Sequence, residues 1–116
     1  MAACGIPDAV DDHADRALAF ARAMIDEIGR KTGDAMAIRV GVHSGPVIGG
    51  LIGRSRFVYD VWGETVNIAS RLEGAGVPSR IHLSEATRQM LRRQSGDFER
   101  RTTNLRGVGE ITTYIL

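Results

Sequence analysis

The pattern of residues between positions 57 and 72 constrains the fold of this chain most strongly. Read as a strand, it places Phe57, Tyr59 and Val61 on one face and Val58, Asp60 and Trp62 on the other. Gly63 ends this period, and apolar residues then recur at helical spacing at positions 66, 69 and 72. The segment therefore predicts a strand that turns at a glycine directly into an amphipathic helix. Because it contains the only tryptophan, we also expect it to contribute strongly to the core.

Three polar residues accompany this pattern. Asp60 lies near the end of the predicted strand, and Asn67 and Arg71 are four residues apart, so they share one face of the helix. A carboxylate, an amide and a guanidinium suit a substrate with a neutral hydrogen-bonding edge and an anionic tail. A turn aspartate followed by a solvated Asn/Arg pair is the alternative interpretation, and on spacing alone it is the more common one.

Composition limits the class of protein. A chain of 116 residues with 43% hydrophobic and 25% charged residues is sufficient for one globular domain. The net charge of +1 gives no strong attraction to nucleic acid or anionic membranes. The sequence contains no apolar run of membrane-spanning length and no secretory leader, so we expect a cytoplasmic location. The single cysteine, Cys4, fits a small core residue in a reducing compartment.

The remaining sequence predicts alternating helices and strands. We expect a helix from Asp11 or Asp12 to about residue 31, with Gly33 as its stop signal, and a second from Glu85 to about Arg93, capped by Ser84. Strands are predicted at Met1–Ile6, Ala35–His43, Val47–Ile52, Ile81–Leu83, Phe98–Thr102 and Glu110–Leu116.

Several common catalytic motifs are absent from the sequence. It has no Gly-rich phosphate loop followed by lysine, no serine-hydrolase elbow, and no zinc-type spacing of histidine and cysteine. His43 beside Ser44 has the composition of a base–nucleophile pair. Because adjacent strand residues point to opposite faces, we interpret these two residues as structural.

Three separated blocks of sequence resemble the class III nucleotidyl cyclases, the adenylate and guanylate cyclases. They are FVYDVWGETVNIASRLE at 57–73, the segments Arg39–Val47 and Gly49–Gly53, and the segment Leu105–Gly109 followed by Thr113 and Tyr114. The resemblance implies an α+β, ferredoxin-like cyclase fold with a mixed or antiparallel sheet and helices packed on it. It covers residues 1–116 as a single, partial catalytic domain.

The resemblance also implies roles for four residues. Asp60 matches the residue that reads the base, and an aspartate there resembles the adenine-selecting choice, which implies ATP rather than GTP. Asn67 matches the residue that orients the ribose, and Arg71 matches the one that stabilises charge on the reacting phosphate. Arg106 stands where the family usually has a lysine that holds the triphosphate. The lysine that partners Asp60 in the family would lie upstream of Met1.

The family's metal-binding aspartates have no counterpart in this sequence. In class III cyclases two subunits packed head to tail form the site, and one half supplies two aspartates for two divalent ions, Mg²⁺ or Mn²⁺. None of Asp8, Asp11, Asp12, Asp15 and Asp34 stands in that motif. We therefore assign no metal ligand and expect little or no cyclase activity from this chain alone. A non-catalytic partner that complements a full cyclase, and a remnant without function, remain the alternatives.

The same comparison predicts self-association. Without the family's opening strand and helices, two sheet edges and an apolar helix-packing face would be uncovered. We therefore expect a homodimer, or a heterodimer with a cyclase subunit, rather than a monomer.

Overall fold

The computed structural model describes residues 1–52, 58–93 and 96–116, and for residues 58–60 the backbone only. Within these ranges the helices are α1 (His13–Thr32), α2 (Glu64–Gly74) and α3 (Glu85–Met90). The strands are β1 (Val40–Val42), β2 (Ile48–Ile52), β3 (Val58–Trp62), β4 (Ile81–Ser84), β5 (Glu99–Leu105) and β6 (Gly109–Ile115). The predicted α+β class is confirmed.

Four strands form a mixed sheet in the order β1-β4-β6-β5. β1 and β4 are parallel, and β6 pairs antiparallel with both β4 and β5. β2 and β3 form a separate antiparallel pair, in which Gly50 lies opposite Asp60. The strand predicted at Val47–Ile52 is confirmed as β2, Ile48–Ile52.

The core lies on both faces of β4, all four residues of which are buried. Ile81 and Leu83 pack in one cluster with the buried stripe of α1, formed by Ala14, Leu18 and Ala21. His82 and Ser84 alternate with them and therefore point to the opposite face, where His82 contacts α2. The sheet thus separates α1 from α2.

The residues predicted to mark the two ends of α1 do so, with one exception. Gly33 has a φ of 58°, and its N–H bonds the Gly29 carbonyl, as expected of a glycine that ends a helix. Asp12 occupies the N-cap position, but its side chain caps no N–H. Its carboxylate instead accepts from the Arg16 Nε at 2.8 Å.

α2 packs closely on β1 because β1 contains a glycine. A Cβ added to Gly41 would overlap the backbone Glu73 N and Ala69 O and lie 2.9 Å from Glu73 Cα. Any side chain at this position would therefore push the helix away from the sheet.

Several predicted boundaries are wrong. Residues Met1–Ile6 form no strand, and Cys4 is exposed rather than in the core. Within the described residues β1 pairs only with β4, so residues 1–6 do not occupy its other edge. The strand predicted at 35–43 is only three residues long, Val40–Val42.

Three further predictions differ in detail. α3 ends at Met90 because Leu91 is already extended, at φ −67° and ψ 125°, and does not continue to Arg93. β5 runs to Leu105, three residues beyond its predicted end. Trp62 is 40% exposed rather than part of the core. Phe57 lies outside the described residues.

Candidate functional site

Gly63 forms the corner between β3 and α2 that the sequence predicts. It occupies the N-cap position with a φ of 128°, a conformation that L-amino acids with a side chain rarely adopt. Its carbonyl accepts the first helical hydrogen bond, from Asn67 N at 3.3 Å. Asn67 therefore lies one turn into α2 and Arg71 one turn further along the same face.

Arg71 lies against the turn between β5 and β6, residues 106–108. A Cβ built on Gly107 would be 3.5 Å from Arg71 Nη2 and 3.6 Å from its Cζ, so the guanidinium lies next to this turn. Gly107 has a φ of 76° and is the neighbour of Arg106 in the chain. The fold thus brings together Arg71 and the turn that carries Arg106, although they are far apart in the sequence.

The charge of Arg71 is not neutralised within the described part of the chain. The ion pairs there join other basic residues to carboxylates, as in Arg39–Glu73 at 3.0 Å, and none includes Arg71. The side chain is half-buried, whereas those of Asn67 and Arg106 are exposed. Arg71 and Arg106 therefore offer two positive charges on one side of the molecule, which favours an anionic ligand.

Asp60 is located through its backbone alone. It lies in β3 opposite Gly50, three residues before the corner at Gly63. Its side chain lies outside the described residues, so its predicted contact with a base stays a prediction.

A polar network beside α2 involves the predicted structural residues His43 and Ser44. His43 Nδ1 is 2.7 Å from Ser84 Oγ, and Ser44 Oγ is 3.0 Å from Thr87 Oγ1. Ser84 also caps α3 by accepting from Thr87 N, as the sequence predicts. Burial lowers the pKa of His43, and the negative charge of Glu64 partly opposes this shift. His43 and Ser44 therefore each hydrogen-bond a residue at the start of α3 and do not bond each other.

The sequence did not point to His82, which is 1% exposed. Its Nδ1 is 2.8 Å from the Leu72 carbonyl oxygen in α2, and its Nε2 is 2.8 Å from Thr113 Oγ1. Burial lowers the pKa of this imidazole, although the bond to Leu72 raises it in part. A histidine between Ile81 and Leu83 in a short apolar strand gives no signal of such a contact.

Among the described residues, no three histidine, cysteine, aspartate or glutamate side chains group closely enough to hold a metal ion. Asp15, one of the available acids, accepts instead from the backbone N–H groups of Arg92 and Arg93, which helps to lower its pKa although desolvation opposes this. No described helix is both long and apolar enough to cross a membrane.

Residues 1–116 match the family model for the adenylate and guanylate cyclase catalytic domain. The chain is 38% identical over 121 residues to the soluble guanylate cyclase subunit beta-2 of Rattus norvegicus, covering 100% of this chain and 18% of that protein.

Solved structures of cyclase catalytic domains are also similar to this chain. The catalytic core of a rhodopsin-guanylyl cyclase with converted specificity, in complex with ATPαS, superposes with a TM-score of 0.85 at 37% identity. A non-canonical dimeric guanylyl cyclase domain from Blastocladiella emersonii superposes with a TM-score of 0.78 at 35% identity. These matches cover 97% of this chain and 62% and 63% of the two solved chains.

Proposed function

Because the chain belongs to the family of adenylate and guanylate cyclase catalytic domains, we propose that it supplies the nucleotide-recognition and transition-state half of a composite cyclase site. The observation that carries this proposal is the Arg71 guanidinium, which forms no ion pair with a described residue and lies against the turn that bears Arg106, with Asn67 one helical turn earlier. These are the residues to which the resemblance to the family gives those roles.

In the proposed reaction, the ribose 3′-oxygen of a nucleoside triphosphate attacks the α-phosphorus. A bond from the 3′-oxygen to phosphorus forms, the bond to the bridging oxygen breaks, pyrophosphate leaves, and the hydroxyl proton passes to solvent. Arg71 stabilises the negative charge that grows on the phosphate oxygens. Single interactions of this kind contribute about 3–4 kcal/mol to transition-state stabilisation.

Arg106 and Asn67 would bind the ground state of the same substrate. A guanidinium in place of the family's lysine keeps the charge and can donate two parallel hydrogen bonds to phosphate oxygens. Asn67, exposed on the face of α2 that carries Arg71, would orient the ribose. The aspartate at position 60 favours adenine, because its carboxylate can accept from the exocyclic amine, which guanine does not present in the same place, so we propose ATP as the substrate.

A second subunit would complete the site. The hairpin of β2 and β3 lies outside the main sheet and exposes Leu51 at 67%, with Ile48, Ile52 and Trp62 also exposed. An exposed group of large apolar side chains is typical of a protein interface. We propose that this hairpin contacts a cyclase subunit, and that the carboxylates for Mg²⁺ or Mn²⁺ come from outside the described residues.

Complementation tests the proposal. The 116-residue chain is mixed with a cyclase catalytic domain that keeps its metal carboxylates but lacks its own Asn/Arg pair, and cyclic nucleotide formation from ATP and from GTP is measured with Mn²⁺. We expect activity only in the mixture, higher with ATP, and its loss with Arg71→Ala. Arg30→Ala is the matched control, because Arg30 pairs with Glu27 on α1.

An inactive mixture in which the two proteins bind each other would contradict the proposed function. Robust cyclic nucleotide production by this chain alone would show instead that it needs no partner subunit. A preference for GTP would overturn the role of Asp60 and leave those of Asn67 and Arg71 intact.

A further inference from the structure

We propose that His82 is a positioning residue for Arg71: its imidazole holds the last turn of α2, and thereby sets where the guanidinium lies. This inference rests on the proposed function for the role of Arg71. The contacts themselves are independent of that role.

The last turn of α2 leaves carbonyl groups that no helical N–H can satisfy. The carbonyl of Arg71 accepts from Ala75 N at 3.0 Å, and that of Glu73 accepts from Gly76 N at 3.1 Å. The carbonyl between them, of Leu72, accepts from His82 Nδ1 at 2.8 Å. A side chain from the sheet therefore completes the end of the helix at the residue after Arg71.

The hydrogen bonds of His82 fix its tautomer. A carbonyl oxygen can only accept, so Nδ1 carries a hydrogen and the neutral ring accepts at Nε2. The donor to Nε2 is the Thr113 hydroxyl at 2.8 Å, whose oxygen lies 2.7 Å from Thr103 Oγ1. Both ring nitrogens are thus used, and the ring cannot rotate without breaking two bonds in a buried site.

Gly41 and His82 act on the same part of α2. They are partners in the parallel β1–β4 ladder, so both residues face the helix. The missing side chain of Gly41 allows Ala69 and Glu73 to approach the sheet, and His82 then reaches Leu72. Gly76 also lies close to the Leu72 carbonyl, since a Cβ there would be 3.3 Å from the Leu72 oxygen.

Three substitutions separate positioning from packing. Asn places an amide N–H near the position of Nδ1, so His82→Asn can keep the bond to Leu72. Gln reaches the position of Nε2, so His82→Gln can keep only the bond to Thr113. Thr113→Val removes the second bond and leaves the first. All three variants lose buried hydrogen bonding and are expected to be destabilised.

We expect His82→Gln to lower kcat in the complementation assay about 10- to 100-fold, with KM changed less than about threefold, because a shift of about 1 Å in a catalytic group has effects of this size. The nuclear Overhauser contact between the Arg71 guanidinium and the Gly107 Cα protons should weaken in the same variant. His82→Asn and Thr113→Val should keep both the contact and kcat within about threefold of wild type.

Two results would overturn the proposal: a His82→Gln variant with wild-type kcat and an intact Arg71–Gly107 contact, or activity that follows stability alone in all three variants. If His82→Gln does not fold, nitrogen NMR of the wild-type ring decides, since hydrogen on Nε2 rather than Nδ1 would also overturn it. Failure of wild-type complementation would refute the proposed function only, because the Arg71–Gly107 contact is measured without nucleotide.

Discussion

Gly41→Ala is expected to separate α2 from the sheet and thereby displace Arg71. The added Cβ would lie 2.9 Å from Glu73 Cα and closer still to the Glu73 nitrogen and the Ala69 oxygen. Normal contact distances are about 3.5–4.0 Å, so restoring them requires a movement of roughly 1 Å. The obstructing atoms belong to the helix backbone, so no side-chain rotation can relieve the overlap.

The size of the effect follows from this displacement. Overpacking of this kind usually destabilises by about 1–3 kcal/mol. For a domain of this length, that corresponds to a fall in Tm of about 5–15 °C. A 1 Å displacement of a catalytic group can also lower activity by about 100-fold, so the loss of activity should exceed what the unfolded fraction explains.

Thermal unfolding followed by circular dichroism, together with the complementation rate, measures both effects. The matched control is Gly74→Ala at the end of the same helix, where an added Cβ meets no atom within 4 Å. This control should be neutral, or more stable by up to about 1 kcal/mol. A Gly41→Ala variant with wild-type Tm and complementation rate would refute the argument that this glycine sets the position of α2.

Three further outcomes are expected. Burial lowers the pKa of His43 and His82 below the ordinary value of 6.5, so the unfolded chain binds more protons than the folded one. The free energy of unfolding should therefore fall as pH drops below about 6.5, and it should fall less steeply in His82→Asn. A pH-independent denaturant midpoint between pH 7 and 5 would contradict this. Arg106→Ala should lower the complementation rate about 10- to 100-fold, since a charged hydrogen bond contributes about 1.5–3 kcal/mol, whereas Arg106→Lys should keep most of the rate. Equal rates for both variants would exclude a role for charge at this position. Leu51→Glu should shift sedimentation toward the monomer or weaken binding to the cyclase subunit, whereas Met36→Glu, similarly exposed but outside the hairpin, should not. An unchanged assembly state would show that the hairpin is not part of the interface.

Local pattern predicted the elements that position the site. The corner at Gly63, the helix carrying Asn67 and Arg71, and the Ser84 cap depend on neighbouring residues, so the sequence contains their signals. The same holds for the stop at Gly33. The resemblance to cyclases supplied the roles of these residues, which spacing alone could not separate from a solvated helix face.

Long-range pairing could not be predicted in this way. Whether Met1–Ile6 forms a strand depends on a neighbouring strand, and whether Trp62 is buried depends on what covers the hairpin. The contacts of Arg71 with Gly107 and of His82 with Leu72 join residues that are distant in the sequence or on different elements. Neither contact produces a periodic pattern of residues in the sequence.

The most direct test of the account is a structure of the chain bound to a cyclase subunit and a non-reacting ATP analogue. We expect the Arg71 and Arg106 guanidinium groups within hydrogen-bonding distance of phosphate oxygens, and the Asn67 amide at the ribose. A nucleotide bound elsewhere, with Arg71 contacting only the β5–β6 turn, would contradict the account.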